Sequence, residues 1–181
     1  MRKQIQSLLG KRATDDFMDF LDNIGYFECP AAKSHHGNYE GGLVAHSVEV
    51  AKQLTDLTTK LNLQWNKPES PWVVGLLHDI CKTDDYVYKF YTTYSTADGF
   101  VNKKDIEYND TPIYPGHGIK SVIILGGRFE LTEEEKMCIA YHMGSFTDKE
   151  EWKYYSNAIK MCPNVLYTHM ADMIASQIKG V

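Results

Sequence analysis

Three absences narrow the class of protein that this sequence of 181 residues encodes. Its four cysteines include no Cys-x-x-Cys pair, so they do not indicate a zinc ribbon or a dithiol redox motif. It contains no Gly-x-Ser-x-Gly elbow, which argues against the serine hydrolases that depend on one. No apolar run approaches the length of a membrane span, and no apolar segment follows the basic N-terminal residues, so we expect neither a transmembrane helix nor a signal peptide.

The sequence also lacks an excess of positive charge. The chain carries 19 Lys and Arg against 24 Asp and Glu, a formal charge of -5, which argues against an extended nucleic-acid surface. Its length fits one domain, and its 43% hydrophobic and 24% charged residues are ordinary for a soluble globular protein. We therefore expect a single cytoplasmic domain with reduced cysteines and no membrane partner; a homodimer is left open.

Apolar residues recur at helical spacing along most of the chain, which predicts an all-α fold. Capping residues and prolines mark where the helices begin. We expect helices from Asp15 to about Asn23 behind a Thr14 cap, from Leu43 onward after two glycines, from Pro71 behind a Ser70 cap, from Glu133 to about Met143 behind a Thr132–Glu135 capping box, and from Pro163 to the C-terminal region.

Residues 84–110 have a different pattern. Tyr86, Tyr88 and Phe90 alternate along the chain, and Asp98-Gly99 is a strong turn signal, so we predict a small β-hairpin or hairpin-like flap. One interpretation is a surface decoration that shields the core. Its position directly after the candidate site residues favours a substrate lid.

The adjacent pair His78-Asp79 lies within an apolar run, where an uncompensated polar side chain costs free energy. A bound metal ion would compensate this burial; the alternative is a helix with one hydrogen-bonded histidine and one exposed aspartate. Four more residues of ligand type lie on or at the edge of predicted helices. They are His46, His117, His142 and Asp172, and each alone has an ordinary structural explanation.

In chain order these six positions resemble the HD-domain metal-dependent phosphohydrolase superfamily, which is named for its His-Asp doublet. Residues 41–47 resemble the helix of the first histidine, residues 77–82 the doublet, and residues 166–175 the helix of the closing aspartate. Residues 30–36 are similar to the HD domain of a bacterial exoribonuclease that also has an OB-fold domain. Stand-alone HD hydrolases of bacteria and phages, without that second domain, resemble this chain more closely.

The resemblance implies an all-helical HD core over residues 29–176, with residues 1–28 packed on it. It also implies two divalent transition-metal ions, for which Fe, Mn, Ni, Co and Zn all suit the residue types. His46, His78, Asp79 and Asp172 would bind the first ion. His117 and His142 would bind the second, with Asp79 bridging the two. The implied reaction is hydrolysis of a phosphoric ester in a nucleotide or similar small compound, by a metal-activated water.

Several residues lie at positions from which they could contact a substrate. Asp79 and Lys82 are the predicted catalytic residues. Lys82 lies one helical turn after His78, where it could reach a phosphate oxygen; the alternative is a lysine that stabilises a helix C-terminus. Lys120 lies one turn after His117 and is a weaker candidate of the same kind. The resemblance places His35, His36 and Tyr39 near the pocket as phosphate or base contacts, although a surface loop would also explain them.

Two other functions fit the same residues. Some HD proteins use this ligand order around two irons to activate oxygen, so a di-iron oxygenase is the second enzyme class. A nucleotide-sensing module would keep the fold and bind ligand without turnover. A complete ligand set argues against the sensor, because a degenerate sensor should tolerate the loss of metal residues.

Overall fold

The computed structural model describes residues 1–33 and 37–181. Most of these residues are helical, and their sheet is a two-stranded antiparallel hairpin. The elements are α1 (Arg2–Leu9), α2 (Asp15–Asn23), α3 (Gly42–Leu61), α4 (Ser70–Leu77), α5 (Lys82–Asp85), β1 (Tyr86–Ser95), β2 (Gly99–Tyr108), α6 (Gly118–Leu125), α7 (Glu133–Ala140), α8 (Trp152–Met161) and α9 (Asn164–Met173). A π-helical segment, Ile174–Lys179, continues α9. A mostly helical fold with an inserted hairpin is thus confirmed.

Two of the predicted helix starts have the expected caps. The Thr14 hydroxyl accepts the backbone N–H of Phe17 at the start of α2. At α7, Thr132 and Glu135 form the complete capping box, each side chain accepting the other's backbone N–H. Side-chain capping thus defines both starts, which is why the sequence alone locates them.

Helix α4 is buried along nearly its whole length. It packs closely against α3, as Gly75 shows: a Cβ added there would lie only 2.3 Å from the Ala51 Cα. Only glycine permits this approach. The predicted Ser70 cap is wrong: Ser70 is the first residue of α4, and its hydroxyl donates to Glu135 instead, at 2.7 Å.

Helices α4 and α7 end earlier than the apolar pattern predicts. His78 still donates its backbone N–H to Val74, but the next residues form tighter turns, so Asp79 lies just beyond α4. Helix α7 ends at Ala140 and not near Met143. Both His78-Asp79 and His142 therefore lie immediately after a helix, where the turning chain can aim side chains away from the helix surface.

The hairpin pairs Tyr86 with Tyr108 at its base and Ser95 with Gly99 at its turn. At the base, the Tyr88 hydroxyl donates to the backbone carbonyl of Glu28, which attaches the hairpin to the helical body. Its outer part is exposed. Phe90 and Phe100 retain 72% and 82% of their accessible surface.

Most of the buried apolar side chains form one cluster that extends from Ile5 in α1 to Ala175 after α9. The N-terminal segment is joined to α7 by the Arg12 guanidinium, whose two terminal nitrogens each lie 2.7 Å from a carboxylate oxygen of Glu135. All four cysteines are buried and unbridged. No helix in the described part of the chain combines the length and the apolar composition that a membrane span needs.

Candidate metal centre

Asp79 is the residue on which the candidate ligands converge. Its Oδ1 lies 2.7 Å from His117 Nε2 and 3.2 Å from His142 Nε2. Its Oδ2 lies 3.6 Å from His78 Nε2 and 3.7 Å from His46 Nε2. The sixth residue, Asp172, joins through His46, with 3.2 Å between Oδ1 and Nε2. The structure therefore brings together all six residues that the sequence singled out as metal ligands.

Backbone carbonyls orient three of the four histidines. The Nδ1 atoms of His78, His142 and His46 lie 2.8, 2.7 and 2.9 Å from the carbonyl oxygens of Gly75, Ile139 and Val181, respectively. Because a carbonyl only accepts, each Nδ1 carries a proton, and a ring that is neutral then has its lone pair on Nε2. This is the arrangement in which histidine binds a metal ion through Nε2.

The Nε2 atoms of His78 and His142 are the strongest sign of a missing partner. Both are fully buried, and neither makes a hydrogen bond within the described part of the chain. A buried polar atom without a partner is costly, and native structures contain few of them. Buried His and Asp groups of this kind could hold a metal ion.

The charges within the cluster favour the same interpretation. Burial lowers the pKa of His78 to about 4, so its imidazole is neutral at neutral pH. Burial alone would raise the pKa of Asp79, but its charged neighbours, Lys82 foremost, lower it well below the usual range. A neutral imidazole and an anionic carboxylate are the protonation states that a metal ion requires.

His46 and Asp172 form a close pair within the cluster, with 3.2 Å between Nε2 and Oδ1. Burial lowers the pKa of His46, but the hydrogen bond to Asp172 and the charge of Asp79 outweigh it, so the pKa is raised. The pKa of Asp172 is lowered, because the hydrogen bond from His46 outweighs the effect of burial. The carboxylates of Asp79 and Asp172 thus both face the Nε2 of His46, at 3.7 and 3.2 Å.

Close packing between helices brings distant parts of the chain to this centre. A Cβ added at Gly118 would lie 2.3 Å from the carbonyl oxygen of Ala140, so only glycine lets the start of α6 reach the end of α7. That approach places His117, which precedes α6, beside His142, with 5.3 Å between ring centroids. His46 enters from the first turns of α3, and Asp172 from the last turn of α9.

A cavity of 410 Å³ opens beside the cluster. Its wall includes five of the predicted site residues: His46, Asp79, Lys82, His117 and Asp172. The remaining lining comes from residues that the sequence interpretation did not select: Ala31, Ala32, Met143, Phe146, His169, Met173, Ser176, Gln177 and Val181. Of these, only His169 could have been selected from the sequence, because it lies one helical turn before the candidate ligand Asp172.

The predicted substrate contacts lie in different places. The Lys82 ammonium lines the cavity, 3.1 Å from Asp79 Oδ2, and also donates to the carbonyl of Ala31. Lys120 is buried away from the cavity lining, and its ammonium pairs with Asp84 at 2.7 Å and Asp85 at 2.6 Å.

Tyr39 is half-exposed and lines a separate groove beside Tyr88 and Lys104. The predicted contacts His35 and His36 lie outside the described residues. Neither strand of the hairpin contributes to the lining of the 410 Å³ cavity, so its role as a lid stays a prediction.

Comparisons of the chain with protein-family models, with characterised proteins and with solved structures gave no significant match. The function is therefore inferred from the geometry and chemistry of the centre, together with the sequence resemblance.

Proposed function

We propose that this protein is a metal-dependent phosphoric ester hydrolase, a phosphatase or phosphodiesterase that acts on a nucleotide or a similar small phosphorylated compound. The observation that carries the proposal is the convergence of four histidines around Asp79, with Asp172 joined to them through His46. Two of those histidines direct buried Nε2 atoms into the cluster without any hydrogen-bond partner in the described part of the chain.

The ligand assignment follows the resemblance to HD-domain phosphohydrolases. His46, His78, Asp79 and Asp172 would hold one ion, and His117 and His142 a second that shares Asp79. The six donors are imidazole nitrogens and carboxylate oxygens, a set that suits Fe, Mn, Co, Ni or Zn. When bound, such an ion supplies a Lewis acid for the phosphoryl oxygens and lowers the pKa of a coordinated water.

Lys82 and Asp79 would act on the substrate from the cavity wall. Burial lowers the pKa of Lys82, but the charge of Asp79 outweighs it, so the ammonium stays protonated. A fixed positive charge at this position can bind a phosphate oxygen and stabilise the charge that develops there. Asp79 remains anionic, which keeps its oxygens available as acceptors and ligands.

The shape of the cavity supports a substrate of nucleotide size. Its 410 Å³ lies within the range of about 300–1,000 Å³ typical of small-molecule sites. Beyond the polar cluster, Met143, Phe146 and Met173 give the wall an apolar part, while Ser176 and Gln177 offer hydrogen bonds. A phosphate on the charged side and a base against the apolar side would fill both parts.

A metal-reconstitution assay tests the proposal. The metal-free protein is loaded separately with Mn²⁺, Co²⁺, Ni²⁺, Zn²⁺ or Fe²⁺, and product release is followed on a panel of nucleoside monophosphates, cyclic nucleotides and dinucleotides. We expect hydrolysis that a chelator abolishes and that Asp79→Asn and His142→Gln reduce at least about 100-fold. Asp56→Asn, on the exposed face of α3, is the matched control and should keep full activity.

Other outcomes would assign a different function. A folded, metal-loaded protein that hydrolyses none of the panel would contradict the proposal. Substrate-dependent oxygen uptake by the iron-loaded form, with a mixed-valent di-iron signal, would identify an oxygenase. Tight nucleotide binding without any product over a long incubation would identify a sensor.

A further inference from the structure

His117 faces a second set of possible ligands with its other ring nitrogen. Cys81 Sγ lies 3.5 Å from His117 Nδ1, and Asp85 Oδ2 lies 3.9 Å from the same nitrogen. One donor atom from each of the three residues falls within 4.8 Å of the other two. We propose that Cys81, Asp85 and His117 form a binding site for a thiophilic divalent cation such as Zn²⁺ or Cd²⁺.

The distance between the Cys81 sulfur and the His117 nitrogen fits a tetrahedral ion. With a zinc–sulfur bond of about 2.3 Å and zinc–nitrogen or zinc–oxygen bonds of about 2.0–2.1 Å, neighbouring donors are separated by about 3.3–3.6 Å. The Cys81–His117 distance already lies in this range, and the His117–Asp85 distance must shorten by about half an ångström to reach the nitrogen–oxygen separation of about 3.3–3.4 Å. Three protein ligands leave the fourth tetrahedral position for water or another group.

The surroundings hold these donors in place. Lys120 binds Asp85 Oδ1 at 2.6 Å, which occupies that oxygen and leaves Oδ2 turned toward His117. The backbone N–H of Cys81 donates to the Ser121 hydroxyl at 3.2 Å, which fixes the chain at the thiol. Such outer partners orient ligands and increase metal affinity. The site is also accessible, because the side chains of His117 and Asp85 are each 28% exposed.

The thiol makes the site selective for soft cations. When an ion binds, a sulfur–metal bond replaces the sulfur–hydrogen bond of Cys81, and one proton passes to solvent. Ions that prefer oxygen ligands, such as Mg²⁺ and Mn²⁺, gain little from a thiolate, whereas Zn²⁺ and Cd²⁺ gain much. The six-residue cluster around Asp79 contains no sulfur, so the two sites differ in the ions that they prefer.

Sharing His117 makes the two sites antagonistic, a consequence that rests on the proposed function. A neutral imidazole has one proton and one lone pair. An ion on Nδ1 keeps the proton on Nε2, where it donates to Asp79 Oδ1 at 2.7 Å. That nitrogen then cannot bind an ion in the Asp79 cluster. A soft cation at Cys81 would therefore deprive the hydrolase centre of one ligand.

Cadmium titration of the metal-free full chain tests the site without any substrate. We expect a thiolate-to-cadmium charge-transfer band in the ultraviolet that saturates at one equivalent and disappears in Cys81→Ser. Asp85→Asn should weaken the affinity at least about tenfold, because it removes a charged ligand. Asp84→Asn is the matched control: Asp84 also pairs with Lys120 but is not one of the three donors. Cys29→Ser, at another buried thiol, should keep the band.

A band that survives in Cys81→Ser, or no band in the wild-type chain, would overturn the proposal. If Cys81→Ser fails to fold, the cadmium affinities of Asp84→Asn and Asp85→Asn test the site instead. Equal affinities in these two variants would exclude Asp85 as a ligand and overturn the proposal. These results do not depend on phosphatase activity, so failure of the proposed function and failure of this site are separate findings. The antagonism has its own readout, in which Cd²⁺ should displace bound Mn²⁺ more readily from the wild type than from Cys81→Ser. Equal displacement would contradict it.

Discussion

His78 and His142 meet edge to face, with ring centroids 4.7 Å apart and ring planes at 84°. Each follows the end of a helix and pairs its Nδ1 with the carbonyl oxygen three residues earlier. The same local hydrogen bond thus orients two rings that are far apart in the sequence. Their Nε2 atoms consequently approach Asp79 from two sides, at 3.6 and 3.2 Å, which is the geometric core of the candidate metal centre.

Added metal should stabilise the fold, and this pair should be needed for the effect. A ligand that binds only the folded state at 100 times its dissociation constant adds about 2.7 kcal/mol. We expect Mn²⁺ or Co²⁺ to raise the melting temperature of the metal-free protein by several degrees, and His78→Gln or His142→Gln to remove most of that rise. Differential scanning fluorimetry measures it, with Asp56→Asn as the control. A similar rise in all four proteins would exclude His78 and His142 as ligands.

Replacement of Gly75 by alanine should weaken the contact between α3 and α4. The added methyl group would overlap backbone atoms of Ala51, which cannot move aside as a flexible side chain could. Overpacking of this kind costs about 1–3 kcal/mol. Urea unfolding should show the loss in Gly75→Ala and a much smaller change in Gly126→Ala, where the nearest atom lies at 3.0 Å and the backbone has an ordinary negative φ. Equal stability of Gly75→Ala and the wild type would contradict the close packing.

The ion pair between Arg12 and Glu135 should make stability fall in acid. Burial alone would raise the pKa of Glu135, but hydrogen bonds from Arg12 and from the Thr132 backbone outweigh it and lower the pKa. A carboxylate with a lowered folded-state pKa contributes stability that is complete above its unfolded pKa and is lost as the pH falls through the folded value.

We therefore expect the free energy of unfolding of the wild type to decrease from about pH 5 downward. Glu135→Gln should be less stable at neutral pH and should lose less on acidification. Urea unfolding between about pH 6 and pH 3 makes the comparison. Wild-type and variant curves that stay parallel over this range would contradict the prediction, because the titration of Glu135 would then contribute nothing.

Lys82 and Lys120 should respond differently to the same substitution. Lys82→Met removes a cation from the cavity wall, so KM for a phosphorylated substrate should rise about tenfold or more. Lys120→Met leaves Asp84 and Asp85 without their shared cation, so it should cost about 1–3 kcal/mol of stability and leave KM nearly unchanged. Steady-state kinetics and thermal unfolding separate the two effects. A large KM change in Lys120→Met alone would reverse the assignment.

These two lysines also show which contacts can be predicted from the sequence and which cannot. Each lies one turn after a candidate histidine, and nothing local distinguishes them. Lys120 forms ion pairs with Asp84 and Asp85, which lie more than thirty positions earlier in the chain, so only the folded structure reveals this contact. Helix starts such as Thr14 and Thr132 were predictable because a cap is a local interaction. The Ser70 hydroxyl was misassigned because its partner Glu135 is distant in sequence.

The candidate site likewise has one part that the sequence predicts and another part that it does not. The six ligand-type residues could be selected from the sequence because their residue types and order are informative, and the structure brings them together. The opposite wall of the cavity could not be predicted. Phe146 lies in a short 3₁₀ turn and Gln177 in a π-helical segment, and neither position belongs to an apolar period that sequence patterns detect.

The wide separation of the six residues along the chain has a consequence for folding. His46 and Asp172 lie more than a hundred positions apart in the sequence, so their contact requires the closure of a very long loop. Contacts of high sequence separation tend to form late in folding. A fragment that lacks α3 or α9 would therefore lose ion binding entirely and not in proportion to its length. High-affinity uptake of an ion by refolding chains would then mark the last step of assembly, and its rate would follow that step.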